Sequence, residues 1–336
     1  SAVVNLSLGT HGGPHDGSTP VERGLDHLLE EPGRAIVISA GNSFQRRSHV
    51  AGRLTSGQQR VLGWETFPSD TTRNELEIWY SGSAELEVAL IASGGQRFGP
   101  TRLGAPPGVI KRQGVKAGEI IHRAKDPLNG DNVINIFLDP IQPNGMPLLP
   151  SGVWGVELRV VGANVADFHA WIERDDDRRG SDGTIRRNQS KFVEQDATAT
   201  HTLGSISCGK NTIVVGSYDA APLNRDLSPF SSEGPTRDGK QKPEVSAPGQ
   251  TIRAAASLSN GGTTIMSGTS MAATALTQIS AAPLPSPVLE LPTETSVVAN
   301  GKGNQYPIGD FLYSMLNGST NSKVRIKFEL EVEPLG

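Results

Sequence analysis

The stretch "SGTSMAATAL", residues 267–276, places one serine between a Gly-Thr pair and a run of small helix-forming residues. Residues 270–282 favour a helix, and the proline-rich stretch 283–287 ends it because proline cannot continue a helical backbone. A serine at a helix N-terminus lies beside free N–H groups and a partial positive charge, which stabilise a negative oxygen. Ser270 is therefore either a helix cap or a nucleophile.

Near-continuous apolar runs elsewhere in the chain have the composition of buried parallel strands. "AVVNLSLG" (2–9) and "RAIVISAGN" (34–42) flank a helical pattern at 18–31. Strand, helix and strand in this order predict a βαβ unit. The same kind of strand returns in "NTIVVGSYD" (211–219) and "KPEVSAPG" (242–249).

A long strand-rich region separates these segments. Runs such as "ELEIWYSG", "VINIFLD" and "WGVELRVVG" alternate apolar and polar residues and are bounded by turn residues. This pattern is typical of an antiparallel sandwich. The sequence therefore predicts an α/β protein whose parallel sheet is flanked by helices and interrupted by an antiparallel β-sandwich insert. The predicted boundaries are a discontinuous core at 1–64 and 196–283, the insert at 65–195, and an unassigned tail at 284–336 with the amphipathic strand "KVRIKFELEVE".

Composition excludes some classes of function. The formal net charge is -4 and charged residues make up 20% of the 336 residues, so no basic surface for nucleic acid is expected. No stretch of about 18 apolar residues occurs, so no membrane span is predicted. The single cysteine, Cys208, excludes an intramolecular disulfide, and its small neighbours predict a buried structural thiol. Secreted and bacterial cytoplasmic locations both stay open.

The box around Ser270 resembles the nucleophile box of the subtilisin-like serine proteases (subtilases, peptidase S8). "VVNLSLG" resembles the substrate-binding strand of that family, and "VISAGN" resembles its strand with the oxyanion asparagine. "TIVVGSYD" and "SSEGPTRDGKQKPEVSAPG" resemble the two segments before the nucleophile box. The five segments keep the family's order and lie within residues 1–50 and 198–275. The resemblance implies a subtilisin-like fold and hydrolysis of extended polypeptide through a serine acyl-enzyme.

The resemblance also implies roles for single residues. Ser270 matches the nucleophile, whose own N–H is one oxyanion donor, and Asn42 matches the side-chain donor. Without the other segments, Asn42 would be interpreted as a turn residue after a strand. The matches for substrate binding are a strand edge that pairs with the substrate backbone, Ser7, Leu8 and Gly9, and the wall of a specificity pocket, Ser39, Ala40 and Gly41.

The base of this serine is missing from the sequence. A serine hydroxyl needs an imidazole to accept its proton and an acid to orient that imidazole. In subtilases both segments precede the strand that opens this chain, and neither an aspartate box nor a "HGTH"-like box appears here. "GTHGGPHDG", with His11, His15 and Asp16, follows the substrate-binding strand, which is the wrong position. We interpret these histidines as loop residues.

Three explanations of the missing Asp and His stay open. The chain is a fragment whose upstream segment supplies both residues, a non-catalytic peptide-binding or regulatory relative (a pseudoprotease), or a joined or truncated sequence. The start in mid-fold favours a fragment or a truncated sequence, inactive alone. Members of the family normally continue the nucleophile box with a proline and a longer apolar helix, whereas "MAATALTQISAAPLP" stops early.

The strand-rich region has a family resemblance of its own. Its strands, "GVWGVELRVVGANVADFHAWIERD" above all, resemble the jelly-roll insert of the Csp-type subtilases of spore-forming bacteria. "GTHGGPHDGSTPVERGLD" resembles the same subgroup, which makes His15 a structural loop residue. No cofactor is required for the implied chemistry. Structural calcium is common in the family, but no carboxylate cluster in this sequence has the spacing of a calcium site.

Overall fold

Strands outnumber helices in this protein, and both parallel and antiparallel sheets occur. The computed structural model describes residues 2–68, 70–142, 149–175, 178–179, 185–221, 225–257 and 259–281, together with short strands at 296–298, 305–307 and 325–326. The chain divides into two compact units. The first comprises residues 1–9, 15–45 and 200–336, and the second comprises residues 10–14 and 46–199.

The strands and helices of the described residues have the following bounds. The strands are β1 (Ala2–Leu6), β2 (Arg34–Ser39), β3 (His49–Leu54), β4 (Gln59–Thr66), β5 (Asn74–Tyr80), β6 (Leu86–Ile91), β7 (Arg97–Arg102), β8 (Gly108–Arg112), β9 (Val115–Arg123), β10 (Asn132–Leu138), β11 (Gly152–Val160), β12 (Ala166–Ile172), β13 (Arg178–Arg179), β14 (Ile185–Arg187), β15 (Lys191–Phe192), β16 (Ile213–Tyr218), β17 (Val245–Pro248), β18 (Ile252–Ala255), β19 (Thr263–Met266), β20 (Ser296–Val298), β21 (Gln305–Pro307) and β22 (Arg325–Ile326). The helices are α1 (Pro20–Leu28), a 3₁₀ turn (Ser205–Cys208) and α2 (Thr269–Ala281).

A four-stranded parallel sheet, in the order β1-β2-β16-β17, forms the centre of the first unit. Its inner strand β2 is buried from Ala35 to Ser39. Helix α2 packs on all four strands, and Ala272 and Leu276 join Val37 and Val215 in one buried cluster. The small residues after Ser270 thus let α2 approach the sheet closely.

Helix α1 connects β1 to β2, which pair in parallel, so the predicted βαβ unit is confirmed. Thr19 caps the helix and forms a capping box with Glu22. The helix buries Glu22 and leaves Val21 and Leu28 exposed. The reason is that the face of α1 turned inward carries carboxylates that accept backbone N–H groups. Glu22 Oε1 accepts the Cys208 N–H at 3.0 Å. One turn later, Asp26 accepts two backbone N–H groups from the next loop residues, Lys210 and Asn211.

Two large antiparallel sheets form most of the second unit, and β13 and β14 pair as a small separate sheet. The six-stranded sheet has the order β3-β12-β5-β10-β9-β8, and the five-stranded sheet has the order β15-β4-β11-β6-β7. Alternate side chains of both sheets meet in one buried core that includes Trp64 and Val156 of one sheet and Ile78 and Phe168 of the other. The alternating pattern seen in the sequence therefore has its apolar face in this core.

The boundaries of the units differ from the predicted ones, because residues 10–14, 46–64 and 196–199 belong to the second unit. Residues up to 64 were assigned to the core from sequence, whereas β3 and β4 pair with strands of the second unit. The pairing partners of these two strands decide the unit to which they belong. In the tail, Arg325 and Ile326 form a strand, and the rest of "KVRIKFELEVE" lies outside the described residues. None of the helices in the described part of the chain has the length and apolar character needed to cross a membrane.

Candidate active site

The turn after β2 positions Asn42. The chain reverses at Gly41, whose φ is +108°, and its carbonyl accepts the Ser232 N–H at 2.9 Å. A Cβ at Gly41 would lie 2.9 Å from Ser232 Oγ, so a side chain would collide with the loop that holds the turn. Asn42 is thereby placed beyond the carboxyl end of an inner strand of the parallel sheet, where binding sites of such sheets are found.

A second turn positions Ser270. The Gly268 N–H donates to the Gly249 carbonyl at 2.8 Å, and a Cβ at Gly249 would lie 2.8 Å from the Gly268 oxygen. Glycine at both positions therefore permits the close backbone approach. Helix α2 begins at Thr269, so Ser270 lies in its first turn and is partly exposed. The positive end of the helix favours negative charge at this position.

Asn42 and the start of α2 are directly hydrogen-bonded. Asn42 Oδ1 accepts the Thr269 N–H at 2.9 Å and the Thr269 hydroxyl at 3.0 Å. The same hydroxyl accepts the Gly41 N–H at 3.1 Å. Both of these bonds end on Oδ1, so the amide nitrogen Nδ2 stays available to donate. A Cβ at Gly268 would lie 3.3 Å from that nitrogen, so glycine keeps the space beside it open.

The predicted substrate-binding residues occupy two kinds of position. Ser7 follows the edge strand β1 and donates through its hydroxyl to the Ser270 carbonyl at 3.3 Å. Leu8 is 60% exposed. By contrast, Ser39 and Ala40 are buried, and the Ala40 backbone bonds to its neighbours on both sides. Gly9 and Gly41 complete the two predicted segments, and their contact with substrate stays a prediction.

The described residues of the first unit provide no hydrogen-bonded base for the serine. Among its described residues, no side chain is hydrogen-bonded to Ser270 Oγ. His15 is buried in a left-handed turn, with φ of +52°, and its carbonyl accepts the Arg237 N–H. His11 belongs to the second unit, where its Nδ1 lies 3.1 Å from the Ile172 carbonyl. Both histidines thus have loop positions, as the sequence analysis interpreted them.

Cys208 does not provide a second nucleophile. The thiol is completely buried, and burial, together with the nearby Glu22, raises its pKa well above the ordinary value. A thiol is nucleophilic as the thiolate, which this environment disfavours. The predicted burial of the Cys208 thiol is confirmed.

Comparison with known proteins agrees with this geometry. A family model described as "Subtilase family" matches residues 181–284, which include the whole Ser270 turn. The CspB protease of Clostridium perfringens has a similar structure, with a TM-score of 0.67 and 25% sequence identity. These two matches support an assignment to the subtilase family. The structural match covers 82% of this chain and 54% of CspB, so the chain spans about half the length of that neighbour. No curated protein sequence matches it.

Sequence reasoning missed three polar residues around Ser270. Thr269 is hydrogen-bonded to Asn42. Thr274 donates to the Ser270 carbonyl, and Asn5 donates to the Thr274 hydroxyl. Thr269 had a visible signal, since it directly precedes the serine. Asn5 and Thr274 had none, because only the packing of α2 against β1 makes them neighbours.

Proposed function

We propose that this chain carries the nucleophile and the oxyanion donors of a serine endopeptidase. The family and the protease neighbour support serine protease function in general. One observation carries the finer proposal: Asn42, from the end of β2, is held by Thr269, which directly precedes Ser270 in α2. An amide donor and a partly exposed serine at a helix N-terminus are the groups that an acyl transfer needs side by side.

The chemistry follows from these positions. Ser270 Oγ attacks the carbonyl carbon of a peptide bond, and the carbonyl oxygen becomes an anion. The Ser270 N–H and Asn42 Nδ2 donate hydrogen bonds to that anion, and they bind it more strongly than the neutral carbonyl. An imidazole takes the hydroxyl proton and returns it to the leaving amine. Water then hydrolyses the acyl-enzyme. The proposed chemistry requires no cofactor.

A further segment of polypeptide would supply the imidazole and its orienting acid. Strand β1 lies at the edge of the parallel sheet, and Val4 is 47% exposed on it. A parallel strand is normally buried on both faces and paired on both edges. An upstream segment that pairs with β1 would cover these groups and bring an Asp and a His to Ser270. The second unit is, on this proposal, a jelly-roll-like insert in the protease core.

A fluorophosphonate probe tests the proposal because it reacts with an activated serine. Residues 1–336 alone should show negligible labelling and peptidase activity. The protein as its gene encodes it should label at Ser270, Ser270→Ala should remove the label, and the control Ser56→Ala, at an exposed serine of the second unit, should keep it. Asn42→Leu should lower turnover by about 10²–10³, the usual cost of losing one oxyanion donor. An unlabelled full protein contradicts the enzymatic proposal.

One observation favours a second candidate function. Ser270 Oγ has no hydrogen-bonded base among the described residues of its unit. A pseudoprotease would keep the strand edge at Ser7–Gly9 for binding extended peptide while catalysing nothing. Peptide binding without fluorophosphonate labelling in the full protein would support this second function.

A further inference from the structure

Two hydroxyls converge on the backbone carbonyl of Ser270, and the Asn5 amide bonds to both of them. The Ser7 hydroxyl donates to this carbonyl at 3.3 Å, and the Thr274 hydroxyl donates to it at 2.9 Å. Asn5 Nδ2 lies 3.0 Å from Ser7 Oγ and 3.3 Å from Thr274 Oγ1. Two of the three residues come from β1 and the loop after it, and the third comes from α2. The bonds therefore connect the strand to the serine turn.

Proton counting fixes the direction of every bond in this network. A hydroxyl has one proton, and the protons of Ser7 and Thr274 are directed at the Ser270 carbonyl. Each hydroxyl can therefore only accept from Asn5, whose amide nitrogen has two protons to give. The amide oxygen of Asn5 is buried and has no hydrogen-bond partner among the described residues, so only the amide nitrogen joins Asn5 to this network.

A threonine hydroxyl bonded to the carbonyl four residues earlier is common in helices. Thr277 makes the same bond to the Ala273 carbonyl at 2.8 Å, without any strand residue bonded to its hydroxyl among the described residues. Thr274 differs because Asn5 of β1 donates to its hydroxyl. The contrast separates a local helical habit from a connection between the strand and the nucleophile.

We propose that Thr274 is a positioning residue, which together with Asn5 and Ser7 aligns the nucleophile turn with the substrate-binding strand. The proposal rests on the proposed function. The substrate backbone pairs with the strand edge after β1, while the reacting oxygen belongs to α2, so their relative position sets the attack geometry. A misplacement of about 1 Å can cost about 10²-fold in rate. A network of hydroxyls on the Ser270 carbonyl holds this position.

The kinetic test uses the full protein and three variants. Thr274→Val, which removes the hydroxyl and keeps the shape, should lower kcat and the rate of Ser270 labelling about tenfold with KM little changed. Thr274→Ser should restore the rate, and the matched control Thr277→Val should leave it at the wild-type value. A wild-type rate in Thr274→Val overturns the positioning role.

A spectroscopic test distinguishes failure of this network from failure of the proposed function. With ¹³C-carbonyl serine and ¹⁵N methionine, two Ser-Met pairs give signals, Ser270-Met271 and Ser314-Met315, and the second is an internal reference. The Ser270 carbonyl signal should shift in Thr274→Val and in Asn5→Ala, and should not shift in Thr277→Val. An unshifted signal in both Thr274→Val and Asn5→Ala overturns the network. Shifted signals in a protein that the fluorophosphonate never labels overturn the proposed function instead.

Discussion

The side-chain oxygen of Asn42 accepts both the N–H and the hydroxyl of Thr269, at 2.9 and 3.0 Å, across 227 positions of sequence. These two bonds orient the Asn42 amide so that its nitrogen is left to donate. They also fix the residue before Ser270. The donor and the nucleophile of the proposed reaction are thereby held by the same threonine.

Thr269→Val should therefore impair the reaction more than the fold. The variant removes one of two donors to Asn42 Oδ1 and the acceptor of the Gly41 N–H. We expect the fluorophosphonate labelling rate of Ser270 in the full protein to fall about tenfold, and stability to fall by about 1 kcal/mol. Thr269→Ser should keep both values. Labelling of Thr269→Val at the wild-type rate would show that the hydroxyl does not orient Asn42.

Glu22 should make the stability of the first unit depend on pH. Burial raises its pKa from 4.5 to about 7, against the hydrogen bonds from Thr19 and the Cys208 N–H, which lower it. Since the folded-state pKa is the higher one, the contribution is present below pH 4.5 and is lost as the pH rises through about 7. Glu22→Gln cannot titrate, so the stability of wild type relative to this variant should decrease by about 3 kcal/mol between pH 4.5 and 8.

Urea unfolding of both proteins at several pH values measures this difference. Glu30 follows the C-cap residue of the same helix, and its side chain is 66% exposed, so Glu30→Gln is the control. A stability difference between wild type and Glu22→Gln that does not change with pH would contradict the prediction.

His122 should make the second unit sensitive to acid. Its Nε2 lies 2.6 Å from the Tyr80 hydroxyl, and burial lowers its pKa from 6.5 to about 4. The imidazole of the unfolded chain takes up its proton at a higher pH than the folded one does. The free energy of unfolding should therefore fall by about 3 kcal/mol as the pH drops from 6.5 to 4. Below pH 4, His122 is protonated in both states and causes no further change. His122→Gln should lack this step in acid titrations followed by tryptophan fluorescence. His27→Gln, at a side chain 79% exposed, should retain it; loss of the step there would contradict the assignment.

Gly24→Ala should stabilise the first unit. Gly24 is inside α1, and a Cβ at this position would meet no atom within 4 Å. Alanine reduces the freedom of the unfolded chain and favours the helix, so we expect a gain of about 0.5–1 kcal/mol in thermal unfolding. Gly82→Ala provides the contrast, because its Cβ would overlap the Gly130 carbonyl and should cost about 2 kcal/mol or more. Destabilisation by Gly24→Ala would refute the argument from open space.

The sequence alone determined the elements that local periodicity specifies. Continuous apolar runs predicted β2 and β16, alternation predicted β5 and β11, and the residues after Ser270 predicted α2. The order of short segments also indicated the family. These properties depend on neighbouring residues, so they can be read without knowing which distant segments touch.

Only the tertiary structure decided what depends on distant contacts. It assigned β3 and β4 to the second unit, because strand partners cannot be derived from composition. It buried Glu22 and exposed Val21 on one helix, because the Glu22 carboxylate accepts the N–H of Cys208 in a distant segment. It brought Thr269 to Asn42, because hydrogen bonds form between atoms that the whole fold, and not the local sequence, places within reach.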